Sequence, residues 1–150
     1  MKLLIYLILA SKLLTVTAPQ SIAAPSEVGV LAQMYSDQST FVYAHSDLSG
    51  SMFYDLRLGD KITAIYNDGS TQVFEVREVN AYAAKSNIIA RSGGDFDLRV
   101  GSQWIPITGV MAMMSTPGGI TLLTCYAGDR GFGIVTGRLF VELVPVEEIK

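Results

Sequence analysis

From Glu27 onward, apolar residues recur mostly at every second position, and short clusters of turn residues break the alternation at close intervals. A period of two places successive side chains on opposite faces of an extended strand, giving each strand one face to bury. Residues 40–45 (Thr-Phe-Val-Tyr-Ala-His) read as one such strand, followed by a loop at 47–51 and a short segment at 52–56. Residues 61–66 alternate into Asn67-Asp68-Gly69, a strong hairpin signal, and residues 71–79 return from it. Further strands are expected at 104–114, 120–125 and 137–146, with a short helix near 82–85 and a loop at Ser92-Gly93-Gly94. Gly118-Gly119 leads into a strand and not a helix, which favours a hairpin or bulge over a phosphate-binding nest. Many short strands joined by glycine-containing turns imply an all-β chain, a closed or nearly closed antiparallel barrel.

Composition narrows the function. A chain of 150 residues, 49% apolar and 17% charged, can bury the core of one domain. Its formal charge of −3 argues against an extended nucleic-acid surface, which needs clustered Lys and Arg. One cysteine and one histidine exclude a disulfide framework and any metal site built from several such ligands. A calcium site using Asp95, Asp97 or Asp129 is a faint alternative to a solvated acidic surface.

The N-terminus has a different texture. Lys2 precedes the apolar run at 3–10, and small residues follow near Ala23, Ala24 and Ser26. This order reads as a signal peptide or N-terminal membrane anchor over residues 1–26, with a buried helix as the competing reading. A domain spanning 27–150 and working outside the cytoplasm is the expectation.

The chemistry centres on the single thiol. Cys125 ends an expected strand beside the loop Tyr126-Ala127-Gly128-Asp129, where a rigid scaffold presents reactive groups. A thiol becomes a strong nucleophile on losing its proton, and an imidazole can serve as base or counter-charge. His45, also at a strand end, is the only imidazole. Acyl transfer further needs a donor for the developing oxyanion, and a guanidinium keeps its charge at any relevant pH. Arg138 fits that role better than Arg130, which sits among turn residues; Leu139, Val141 and Leu143 share one strand face and leave Arg138 on the other with Phe140 and Glu142. Met111-Ala112-Met113-Met114 reads as core or groove wall.

These residues resemble a known family. Thr121-Leu122-Leu123-Thr124-Cys125 fits the Thr-Leu-x-Thr-Cys signature of the sortases, the cysteine transpeptidases of bacterial surfaces. Val42-Tyr43-Ala44-His45-Ser46 is similar to the strand bearing that family's histidine, and Arg138-Leu139-Phe140-Val141 to the strand bearing its arginine. Met52-Phe53-Tyr54-Asp55-Leu56 and Leu58-Gly59-Asp60-Lys61-Ile62 resemble the segment that follows the histidine, so the likeness runs from about Phe41 to Val144. The resemblance implies an eight-stranded sortase-type barrel with His45, Cys125 and Arg138 as catalytic residues and no cofactor. It implies as partners surface proteins carrying a Leu-Pro-x-Thr-Gly-like sorting signal, and an acceptor amine from a peptidoglycan precursor or a pilin. Two other classes compete: a non-catalytic exported barrel that binds peptide or wall polymer, and a cysteine peptidase of another fold. Chain order disfavours the last, because His45 precedes Cys125.

Overall fold

A computed structural model describes residues 2–17, 25, 27–36, 39–84, 97–128, 131–132, 134 and 136–146. Among these, ten strands occur in chain order: β1 (Leu4–Leu9), β2 (Lys12–Val16), β3 (Val30–Ser36), β4 (Ser39–Ala44), β5 (Lys61–Tyr66), β6 (Thr71–Ala83), β7 (Asp97–Val100), β8 (Gln103–Pro106), β9 (Ile120–Ala127) and β10 (Thr136–Pro145). A 3-10 helix (Ser49–Asp55) follows β4, and one short α-helix, α1 (Ile107–Met113), follows β8. Eight strands close into a barrel in the order β1-β2-β3-β4-β9-β10-β6-β5, and β7 and β8 form a separate hairpin. Closure pairs every stave on both sides and leaves the barrel no open sheet edge.

The barrel is not wholly antiparallel. β2 pairs with β3, and β4 with β9, in parallel, so each pair needs a crossover in place of a tight turn. The hairpin expected around Asn67-Asp68-Gly69 is present, with Ile65 opposite Thr71 and Gly69 at φ 85°. Two expectations fail. The strand foreseen at 104–114 stops at Pro106 and becomes α1, because Ile107, Val110, Met111 and Met114 follow a helical spacing and pack against Leu98 and Phe140. Of the helix foreseen near 82–85, Tyr82 and Ala83 are instead the end of β6, paired with Arg138 and Gly137 of β10, and residue 85 lies outside the described residues. Residues 92–94, Arg130, Asp95 and Asp129 lie outside the described residues.

The largest departure is at the N-terminus. The run read as a signal peptide or anchor supplies β1 and β2, two staves of the barrel, so the barrel begins at Leu4 and not at residue 27. Leu4, Leu7, Leu9, Leu14 and Val16 are buried in the main core. The two strands join through Ala10 and Ser11, both at positive φ, and Leu9 pairs with Lys12 across that two-residue turn. Turns of this hand favour Asn-Gly, which explains why the hairpin gives no turn signal. No helix among the described residues is long and apolar enough to cross a membrane.

The core divides by strand face. Ile120, Leu122 and Tyr126 of β9 point into the barrel with Leu139, Val141 and Leu143 of β10 and with Val42 and Ala44 of β4. The alternate residues face outward, where Leu98, Val110, Met114 and Phe140 form a second cluster beneath α1 and the β7–β8 hairpin. That outer face carries the candidate site.

Candidate functional site

Register sets the geometry. Cys125 on β9 is directly opposite Arg138 on β10, and Arg138 is directly opposite Tyr82 on β6. Directly opposed residues of antiparallel strands project to the same face with Cα atoms about 4.5–5.5 Å apart. On the other side, Ala44 of β4 pairs with Thr124 in parallel, and both are buried. One residue further along the two chains stand His45 and Cys125. Neighbouring strands lie about 4.8 Å apart, so the order His45, Cys125, Arg138, Tyr82 steps across four adjacent staves at one end of the barrel.

The two threonines of the Thr-Leu-x-Thr-Cys segment anchor its strand. Thr124 donates its hydroxyl to the carbonyl of Ala44 at 2.7 Å, tying β9 to β4 beside His45. Thr121 donates to the carbonyl of Met114 at 2.6 Å, tying β9 to the end of α1. Both threonines are buried, so each bond closes off a polar group that would otherwise be costly to bury. The chain after His45 turns sharply: the His45 carbonyl accepts from the amides of Leu48 at 3.1 Å and Gly50 at 3.0 Å. A side chain at Gly50 would run into the Thr124 hydroxyl and lie 2.7 Å from the His45 carbonyl, so only glycine lets the 3-10 helix sit this close.

Environment separates the three residues. The His45 side chain is exposed, Cys125 is half-buried, and Arg138 is buried. Burial pulls the Arg138 guanidinium below its ordinary pKa, while nearby Cys125 and then Tyr54 pull it back up. The strand register, which sets Cys125 opposite Arg138 on one face, accounts for the pull from the thiol. Arg138 also donates to the Gly137 carbonyl at 2.8 Å. A guanidinium at this place can supply a hydrogen-bond donor to an oxyanion.

Several neighbours were not evident from sequence. Tyr54, on the 3-10 helix, donates its hydroxyl to the Cys125 carbonyl, and its ring packs at 5.7 Å from that of Tyr126. A cavity of about 290 Å³ opens beside Tyr54, between Leu56, Leu58, Val79 and Phe132. Tyr82 packs edge-on against Phe140 at 5.7 Å, and its hydroxyl meets the Met114 sulfur at 3.4 Å. Burial is the main cause that raises the Tyr82 pKa. Further along the same face, Glu142 is buried and paired with Arg77, and accepts from the Thr116 hydroxyl at 2.9 Å. A register shift in β6 sets both Arg77 and Glu78 opposite Glu142 and brings the cation to a carboxylate that would otherwise face only Glu78.

Met114 lies in the second cluster and Met111 packs against it, whereas Met113 is exposed. Gly118 and Gly119 form the turn before β9. Among the described residues no group of three His, Cys, Asp or Glu side chains could hold a metal ion.

No family model and no curated protein matches this sequence. The structure, however, is similar to solved sortases. Sortase C1 from Streptococcus suis superposes with a TM-score of 0.56 at 17% identity, covering 99% of this chain and 74% of that one. Sortase A from Corynebacterium diphtheriae gives a TM-score of 0.56 at 15% identity, covering 98% of this chain and 62% of that one. Clostridium perfringens sortase C with the C-terminal cell wall sorting motif gives 0.50 at 16% identity, covering 97% and 71%. The chain is thus shorter than each, spanning under two thirds of the Corynebacterium enzyme. Eight closed staves, with a short helix and a hairpin laid over one outer face, give this chain the fold of the sortases.

Proposed function

We propose that this protein is a sortase-type cysteine transpeptidase with Cys125 as nucleophile. The observation that supports it most is the pairing of Cys125 with Arg138 across β9 and β10, with His45 at the end of the next stave. An extended peptide with a Leu-Pro-x-Thr-Gly-like signal would lie on the outer face with its threonine carbonyl over the thiol. The Cys125 thiolate attacks that carbon, and Arg138 donates hydrogen bonds to the oxygen as negative charge develops there. Collapse of the tetrahedral species breaks the peptide C–N bond. His45, as imidazolium, passes its proton to the departing amine, leaving a thioester on Cys125.

A second amine, from a peptidoglycan precursor or a pilin lysine, attacks the thioester carbon, loses its proton to His45 and releases the thiolate. Water in that place would make the product a free acid. The chemistry calls for no metal or organic cofactor, because the thioester stores the acyl group's reactivity. The place of action that suits such substrates is extracytoplasmic, at the outer face of the cell membrane. Because residues 4–16 lie in barrel strands and their turn, we do not assign membrane anchoring to them.

The test uses the full chain with a fluorogenic sorting-signal peptide, with and without an amine acceptor, beside Cys125→Ala and Arg138→Ala. The proposal expects turnover by the parent, an amine-dependent ligated product, and loss of both in Cys125→Ala. Equal turnover by Cys125→Ala and the parent would end it.

A further inference from the structure

The 3-10 helix at Ser49–Asp55 reaches two of the three site residues through its own hydrogen bonds. At its start, the Gly50 amide bonds the carbonyl of His45. Near its end, the Tyr54 hydroxyl bonds the carbonyl of Cys125 and lies close enough to Arg138 to act on its charge. β4 stops at Ala44 while β9 continues to Ala127, so the segment of β9 that holds the thiol has outrun its parallel neighbour. β10 still holds that stretch from the other side, and a backbone carbonyl on the side that β4 has left calls for another donor.

We infer that Tyr54 is a positioning residue whose hydroxyl pins the Cys125 carbonyl and so holds the thiol beside His45 and Arg138. The inference rests on the transpeptidase reading of this site. The surroundings make the phenol rigid: its ring leans on Tyr126, which is buried in the barrel mouth and packs at 5.8 Å on Phe132, and Phe53, the preceding residue, is buried in the main core. The backbone carbonyl of Tyr54 in turn accepts from the Arg57 guanidinium at 3.1 Å. A ring held against Tyr126, on a backbone tied to Arg57, loses little freedom when its hydroxyl bonds, so removing the hydroxyl falls on the thiol's position and not on the helix.

Tyr54→Phe keeps the ring and deletes the bond. Two readouts on the full chain separate the possibilities: peptide turnover, and the rate of Cys125 alkylation by iodoacetamide at one fixed pH, which needs no peptide chemistry. The inference expects kcat to fall about five- to tenfold with KM within about twofold, the scale of one lost hydrogen bond. It also expects the alkylation rate constant to change by about threefold or more, since the carbonyl that Tyr54 holds fixes how the Cys125 thiol is presented to the reagent. Tyr54→Leu, which removes the ring too, should show the same change in rate with a lower melting temperature. An alkylation rate unchanged in Tyr54→Phe overturns the inference, even if the melting temperature drops, because that result assigns Tyr54 to packing alone. A parent inactive on the peptide but with a changed alkylation rate in Tyr54→Phe refutes the transpeptidase reading and leaves the positioning role standing.

Discussion

Deleting residues 1–26 separates an N-terminal leader from an N-terminal pair of staves. If that segment stood outside the fold, the remaining chain would keep its melting temperature. In the structure it carries two of eight staves and five fully inward residues, Leu4, Leu7, Leu9, Leu14 and Val16. Each such side chain contributes about 1.5–3 kcal/mol by burial, so the five together contribute about 8–15 kcal/mol. Total stability for a domain is about 5–15 kcal/mol, so the loss is of the same size as the whole. Further costs arise from the gap. The buried amide of Gln33 loses both acceptors, the carbonyls of Leu4 at 2.7 Å and Thr17 at 2.5 Å, and β3 and β5 each lose a neighbour. Circular dichroism and urea titration of the purified fragment 27–150 should show no cooperative transition. A sharp transition within about 1 kcal/mol of the full chain would refute a barrel that needs β1 and β2 as staves.

Other perturbations test smaller parts of the structure. Replacing Ala10-Ser11 by Asn-Gly should stabilise the chain by about 1 kcal/mol, read as a higher urea midpoint, because both residues already hold the positive φ that Asn and Gly accept more readily. Arg138→Lys should lower kcat on the sorting-signal peptide by about 10²-fold or more, since an ammonium cannot reproduce the planar fork beside Cys125; near-parental kcat would remove Arg138 from the oxyanion role. Arg77→Ala should cost about 1–3 kcal/mol in urea melts, because it strips the cation from buried Glu142 while Thr116 alone still donates; the exposure of Arg77 keeps the figure below that of a fully buried pair. Burial raises the Tyr82 pKa above 10.0, so the folded state holds that proton longer than the unfolded one. The resulting stability is complete below pH 10.0 and is lost as pH climbs through the higher folded value; Tyr82→Phe should flatten that alkaline decline in thermal melts.

Legibility followed local chemistry. The Asn67-Asp68-Gly69 turn announced β5 and β6 because its residues favour the backbone the hairpin needs. Arg138 was separable from the inward face because Leu139, Val141 and Leu143 alternate cleanly, and the structure keeps that alternation. β1 and β2 were hidden for the opposite reasons. Their joining turn uses Ala10 and Ser11, and the dense apolar run imitates an export signal more closely than an alternating strand. α1 was hidden by a run of apolar residues that suits either period until Pro106 ends the strand. Tyr54 could not be read from sequence at all, since its bond to Cys125 spans 71 residues and depends on where β4 stops. The same applies to the pairing of Arg77 with Glu142, which arises from a register shift in β6.

The proposed chemistry turns on a covalent acyl intermediate at the Cys125 thiolate, formed under the joint influence of Arg138 and His45. Intact-mass spectrometry of the full chain, quenched in acid seconds after mixing with a sorting-signal peptide, looks for that species itself. A thioester at Cys125 predicts a species heavier by the acyl portion of the peptide. Proteolysis should map that mass to Cys125, hydroxylamine should discharge it, and it should be absent from Cys125→Ala. Peptide cleavage by the parent with no adduct at any quench time, together with an equal rate in Cys125→Ala, would contradict the thioester mechanism.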